Sequence, residues 1–290
     1  MVMSFRTFAK GPNKGKNMNL IEKYYNKFNE DKRLKSRHGM VEFNVSMMYI
    51  KKYLELIKNN LNNKIISNNI NLNKSIKILD VGAGTGRYSI ELNNLGYDVT
   101  AVEYVKKNLS VLKQNAPRIP AYQGDAMNLK RFKDNTFDAV VLFGPMYHLF
   151  TLQDKLIALK EAKRVTKKGG IIFVAYLLAD YAIIRHGFMD KNIIQNLSDG
   201  KLDSNFNLHT SEEDLYSYIR LSQIEELNKQ VNLTRLEIIS PDGPTDYIRP
   251  YINKLSEEEF KLYIEFIKQN SNNPSMLGAS SHVVDILQNN

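Results

Sequence analysis

Between Ile76 and Leu178 the chain alternates short, almost continuously apolar runs with longer segments whose apolar positions recur every three or four residues. The runs are IKILDVG, YDVTAVE, IPAYQGD, FDAVVLFG and IIFVAYLL. They are short for helices and too uniformly apolar for half-exposed strands, so they read as strands covered on both faces. TGRYSIELNNLG (closed by Gly96), YVKKNLSVLKQN and TLQDKLIALKEAKRVTKKGG read as helices. Such alternation predicts an α/β fold with a largely parallel, doubly wound sheet. Upstream, NLIEKYYNKFNE and GMVEFNVSMMYIKKYLELIKNN have helical spacing, and the Asn-rich NNLNNKIISNNINLNKS reads as a polar linker. Downstream, ADYAIIRHGFMDKNIIQNLSDG breaks the rhythm and predicts one or two helices inserted after the fifth strand, capping the sheet's carboxyl edge. TSEEDLYSYIRLSQIEELNKQ predicts a helix capped by Thr210 or Ser211 with acids in its first turn. NLTRLEIISPDG and SHVVDILQ predict a sixth and a last strand around the helix LSEEEFKLYIEFIKQ. The expected division is a flexible lead over 1–19, a helical lid and linker over 20–75, and an α/β domain over 76–290 with a cap insertion at about 179–210.

The chain has 290 residues, 43% of them hydrophobic, enough for one large domain or one domain with a cap. A net charge of +9 raises nucleic acid as a partner, but the lysines are spread along the chain and read as a solvated basic surface. The absence of cysteine excludes disulfides, thiolate metal sites and cysteine nucleophiles. MVMSFRTFAKGPNKGKN is basic without the apolar core of a signal peptide, and no run of about 18 apolar residues occurs. A cytoplasmic protein without a membrane span is expected. The five histidines, at 38, 148, 186, 209 and 282, include no H-x-x-x-H pair, and Asp138 lies at the start of its strand, so no metal is expected.

The stretch ILDVGAGTGRYS, residues 78–89, runs from a strand into a glycine-rich turn. A triphosphate-binding loop, G-x-x-x-x-G-K-[ST], fails because Arg87 stands where its second glycine belongs. A dinucleotide fingerprint, G-x-G-x-x-G, fails at Arg87 when counted from Gly82 and at Ser89 when counted from Gly84. What remains is acid–V–G–x–G–x–G, suited to a smaller ligand. The second strand ends in Glu103, 21 residues after Gly82, where a carboxylate can accept from two ribose hydroxyls. The third ends QGD, placing Asp125 to accept from an adenine amine.

Together these residues resemble the class I S-adenosylmethionine-dependent methyltransferases, most strongly over residues 76–178. The resemblance implies a seven-stranded, Rossmann-like sheet whose last strand is antiparallel. At finer grain GPMYHL, EAKRV, KKGG and LGASSH resemble a bacterial subgroup with no assigned substrate. It further implies that Asp80, Gly82, Ala83, Gly84 and Gly86 shape the methionine end of the cofactor pocket, with Arg87 and Tyr88 in the first helical turn. Glu103 would hold the ribose, Tyr104 flank the adenine, Asp125 and Ala126 read its edge, and Phe143 and Gly144 lie beside the sulfonium.

Methyl transfer is an in-line displacement, served chiefly by alignment and exclusion of water; a base is needed only when the acceptor arrives protonated. In the loop GPMYHLF, Tyr147 is the candidate to orient an acceptor and His148 the candidate to take its proton. Amine-methylating enzymes of nucleic acids carry [DNS]-P-P-[YF] here; Gly144–Pro145–Met146–Tyr147 lacks the gripping side chain. Tyr24, Tyr25, Arg37, His38 and Glu42 are lid candidates, with Arg37 suited to the cofactor carboxylate. Tyr181 in the cap and His282 near the end are further ones. A small-molecule methyltransferase is the main expectation. An RNA methyltransferase and a non-catalytic binder of S-adenosylmethionine or S-adenosylhomocysteine are the alternatives.

Overall fold

A computed structural model describes residues 20–27, 36–62, 72–278 and 280–290. The lead over 1–19, residues 28–35 and most of the Asn-rich linker lie outside the described residues. The chain forms α1 (Leu20–Lys27), α2 (Arg37–Asn62), β1 (Lys77–Val81), α3 (Arg87–Asn94), β2 (Asp98–Glu103), α4 (Lys106–Asn115) and β3 (Ala121–Gln123). These are followed by β4 (Phe137–Leu142), α5 (Leu152–Val165), β5 (Thr166–Leu177), α6 (Leu221–Val231), β6 (Leu233–Ile239), α7 (Glu257–Asn270) and β7 (His282–Asn289), with shorter helical turns between them.

The seven strands form one sheet in the order β3-β2-β1-β4-β5-β7-β6. β7 pairs antiparallel with both β5 and β6, and the remaining pairings are parallel. Alternate strand residues feed two cores, as the two-residue period of a strand requires. Ile78, Ala101, Val141 and Phe173 face the core that α2 closes with Val45, Ile50 and Leu54. Leu79, Val102, Val140 and Val174 face the other, closed by α5 and α6 through Leu159, Ala162 and Leu227.

Two local expectations need correction. β5 begins at Thr166, so TKKGG belongs to the strand and not to the helix end. Thr166 Oγ1 closes α5 on the Ala162 carbonyl at 2.7 Å, and the Thr166 carbonyl accepts from Asn289 Nδ2 at 2.7 Å, drawing this polar stretch into the sheet. The helix expected from Thr210 or Ser211 begins only at Leu221. Asp214 captures the would-be cap: it accepts from the Ser211 amide at 3.0 Å and pairs with Lys201 at 3.0 Å. The chain then runs extended past the end of β5, with the Ile219 amide donating to the Leu177 carbonyl at 2.9 Å. After β5 come a turn of helix (Ala179–Ala182), a π-helical segment (Ile183–Met189) and a short helix (Ile193–Ser198).

Phe173 is fully buried, its ring 6.1 Å from that of Tyr53. Phe173→Ala is expected to cost about 3–5 kcal/mol through lost burial and the cavity left behind. Urea denaturation checks this as a lower midpoint at unchanged slope.

Candidate active site

The site grows from the carboxyl edge of β1, β2 and β4. Gly82 and Ala83 both donate to the Val102 carbonyl, at 2.8 and 3.1 Å, carrying the β1–β2 ladder past the strand end. Gly82 has φ of +81°, and a Cβ there would lie 2.5 Å from Pro145 Cδ and 2.7 Å from the Phe143 carbonyl oxygen. Glycine is therefore what lets this loop nest against the loop that follows β4. Gly84, at φ of +57°, faces open space instead: a Cβ there would meet no atom within 4 Å. Gly86 opens α3. Beneath, the buried Asp80 accepts from Ser89 Oγ at 2.5 Å, tying β1 to α3, and burial pushes its carboxyl up to about 6.

Glu103 ends β2 and is 5% exposed. It accepts from the Gly84 amide at 2.7 Å and from the Val105 amide at 2.7 Å, which fixes the glycine loop against the start of α4. Burial lifts its pKa to about 6 against these hydrogen bonds. The Asn108 side chain is a third partner, and a carboxylate has about four lone-pair sites, so acceptor capacity remains for a ribose hydroxyl. Tyr104 is exposed beside it, its carbonyl accepting from Gln123 Nε2 at 3.1 Å. After β3, Asp125 accepts from the Met127 amide at 2.9 Å, and Ala126 is buried. Tyr88 packs its ring 5.1 Å from both Phe43 and Phe143, while Arg87 lies 4.0 Å over the Phe43 ring. α2 thereby meets the cofactor loop through Phe43.

The loop after β4 turns at Gly144 (φ +105°) into a single 3₁₀ turn, Pro145–Tyr147. His148 donates from Nδ1 to the Leu215 carbonyl at 2.9 Å, and its Nε2 meets the Tyr25 hydroxyl at 3.2 Å. Tyr25 and Tyr216 pack on its ring, and Tyr24 packs on both of them. Burial pushes its pKa down to about 4. α1 thus docks through its tyrosine pair on the loop where acceptors were expected. Tyr147 sits on the other side, its ring 5.5 Å from His282.

Sequence reasoning missed Lys155. It is buried under this loop, donating to the carbonyls of Met146 (3.1 Å) and Leu149 and to Ser217 Oγ (2.8 Å), and burial lowers its pKa to about 7. Its signal is its place on the apolar stripe of α5 with Leu159 and Ala162.

The remaining lid candidates are scattered. Arg37 does not face the glycine loop: it donates to the Ile252 and Leu255 carbonyls, pairs with Glu257 at 2.5 Å, and lies 4.9 Å over Phe260. A cofactor carboxylate would have to displace all four partners. His38 meets Ser36 Oγ at 3.1 Å, and Glu42 is half-buried on α2. Tyr181 is buried, donating to Asp246 among the rings of His186 and Tyr247. Among the described residues no group of three or more His, Asp or Glu is placed to hold a metal, and no helix is long and apolar enough to cross a membrane. A 320 Å³ cleft lined by Lys160, Lys163 and Lys168 opens at the opposite edge of the sheet.

The strand order, the glycine turn and the acidic end of β2 define a class I S-adenosylmethionine-dependent methyltransferase fold. Residues 79–174 match the family described as a methyltransferase domain. The demethylmenaquinone methyltransferase of Streptomyces avermitilis is 41% identical over 98 residues, 34% of this chain and 41% of that protein. The Staphylococcus aureus protein of the same name is 36% identical over 116 residues, 38% of this chain and 46% of its own. The chain therefore spans less than half the length of either curated relative. A Thermotoga maritima S-adenosylmethionine-dependent methyltransferase, described as a possible histamine N-methyltransferase, superposes with a TM-score of 0.52 at 16% identity, over 93% of this chain and 98% of that one. One from Methanosarcina mazei gives 0.50 at 16% identity, over 73% and 91%. These structures share the fold.

Gly82→Ala is expected to force the two edge loops apart, whereas Gly84→Ala adds a methyl group to open space at a strained φ. Thermal unfolding should show the larger loss for Gly82→Ala. Titration with S-adenosylhomocysteine should show weakened binding for both, in Gly84→Ala out of proportion to its loss of stability.

Proposed function

We propose that the chain is an S-adenosylmethionine-dependent methyltransferase acting on a small-molecule acceptor. The observation that carries this reading is the buried Glu103 carboxylate at the end of β2, bonded to the amide of Gly84 beside an open space. The donor, when bound, supplies a methyl group carried on a sulfonium. Glu103 accepts from the ribose hydroxyls, Asp125 from the adenine amine beside Ala126, and Tyr104 flanks the base. Asp80, Gly82, Ala83, Gly84 and Gly86, with Arg87 and Tyr88, shape the methionine end, and Phe143 and Gly144 border the sulfonium. Tyr147 orients the acceptor.

The segment over 20–75 serves as a lid and that at about 179–210 as a cap, on a methyltransferase domain over 76–290. Tyr25, packed on His148, and Tyr24, packed on Tyr25, close one side of the pocket, and Tyr181 anchors the cap. Such enclosure excludes water, which in-line transfer rewards, and limits the acceptor's size. Relatives named for methylating demethylmenaquinone support a small-molecule acceptor. No step calls for a metal or for nucleic acid. A cytoplasmic location goes with this reading.

Glu103→Gln tests the reading. Loss of charge-assisted hydrogen bonds of about 1.5–3 kcal/mol weakens S-adenosylhomocysteine binding roughly 10- to 150-fold, measured by calorimetry. Native affinity should also rise as pH climbs through about 6, because the ionised carboxyl is the stronger acceptor for a ribose hydroxyl. The stability linkage has the opposite sign. A carboxyl raised from 4.5 to about 6 contributes stability fully below 4.5 and loses it as pH rises through 6. The pH dependence of binding should shrink in Glu103→Gln; equal binding by both proteins at every pH contradicts the assignment.

A further inference from the structure

Besides the amides of Gly84 and Val105, Glu103 is held by the side chain of Asn108, on the first turn of α4. Asn108 is 5% exposed. An ionised carboxylate only accepts, so the amide donates from Nδ2. The start of α4 brings the two side chains together. Val105 is its N-cap, offers no side-chain cap, and gives its own amide to Glu103 Oε1 at 2.7 Å. Asn108 stands three residues on, where a helix commonly carries a Glu or Gln that reaches back to the N-cap amide. Here Glu103 has taken that amide, and Asn108 reaches Glu103 instead. Nothing in the packing of α4 asks for an amide at this position. Leu109 and Leu112 beside it enter the apolar core, and Asn is a weaker helix former than Ala.

We propose, building on the methyltransferase reading, that Asn108 is a positioning residue for the methyl donor, holding the Glu103 carboxylate ionised and directed at a ribose hydroxyl of S-adenosylmethionine. The chain takes three of the carboxylate's roughly four lone-pair sites, and the one left over has a fixed direction. The same donation keeps the carboxyl charged. Burial raises it most, and Asp80 adds a like charge; the Val105 and Gly84 amides and Asn108 draw it down. Asp80, itself pushed up by burial to about 6, is the charged group that acts on Glu103 from β1. On α4, Lys106 and Lys107 are exposed, and Lys107 donates to the Asn26 carbonyl at 2.7 Å. On α3, Arg87 lies over the Phe43 ring. Asn108 therefore supplies from a neutral side chain what an ion pair would otherwise have to supply: a reason for a buried carboxyl to stay ionised.

The test is a pH series of calorimetric titrations with S-adenosylhomocysteine on the full chain. Asn108→Ala removes a donor to the charged form, so the Glu103 carboxyl rises. The pH above which affinity is gained then moves up from about 6, by about half a unit or more. The loss of affinity is accordingly larger at about pH 6 than on the alkaline plateau. A merely structural role for Asn108 lowers affinity by the same factor at every pH. Asn108→Asp keeps the shape but sets a second carboxyl against Glu103. It should move the midpoint further up, and it carries the test where Asn108→Ala does not fold. In a Glu103→Gln background, Asn108→Ala should cost less affinity, because no charge remains to be held. A midpoint unmoved in both Asn108 variants, or an equal loss of affinity with and without Glu103→Gln, overturns the proposal. Absent binding by the native chain overturns the methyltransferase reading and the proposal with it; intact native binding with an unmoved midpoint overturns the role of Asn108 alone.

Discussion

The carboxyl edge of this protein depends on one buried carboxylate. Glu103 takes the amide of Gly84 with one oxygen and the amide of Val105 with the other, so β2, the glycine turn and the start of α4 share a single anchor. Keeping a charge there is costly, which is why burial dominates its raised pKa. These two charge-assisted hydrogen bonds and a third from the Asn108 side chain offset part of that cost, and a hydroxyl donor would offset more. In the proposed function the desolvation of Glu103 and its affinity for a ribose have one cause.

The rest of the molecule brings groups to that edge. The parallel strands present the ends of β1, β2, β3 and β4 side by side, where a ligand can meet several backbone turns at once. The reversed strand β7 adds what a wholly parallel sheet cannot: its first residue, His282, stands beside the last residue of β5. Lys155 underpins the same region, a buried amine joined to Met146, Leu149 and Ser217. Its three partners hold the 3₁₀ turn and the 211–219 segment together, and that segment displaces the helix expected there.

What was legible in the sequence is what local pattern encodes. The apolar runs of β1, β2 and β4 announce strands buried on both faces, and Gly82, Gly84 and Gly86 announce a turn of positive φ. Less legible features answer to distant partners. TKKGG is polar yet joins β5 because Asn289 and Asp138 receive it. Arg37 has the charge for a carboxylate ligand but finds Glu257 and Phe260 on α7. Asp242 has no local signature, since only the closed sheet brings it to His282.

The most direct test of the central claim is a calorimetric comparison of S-adenosylhomocysteine and NAD on the native chain. The glycine turn followed by Arg87, with Glu103 behind it, predicts saturable micromolar binding of S-adenosylhomocysteine and none of NAD. Binding of NAD without S-adenosylhomocysteine would contradict the account and return the turn to the dinucleotide-binding class.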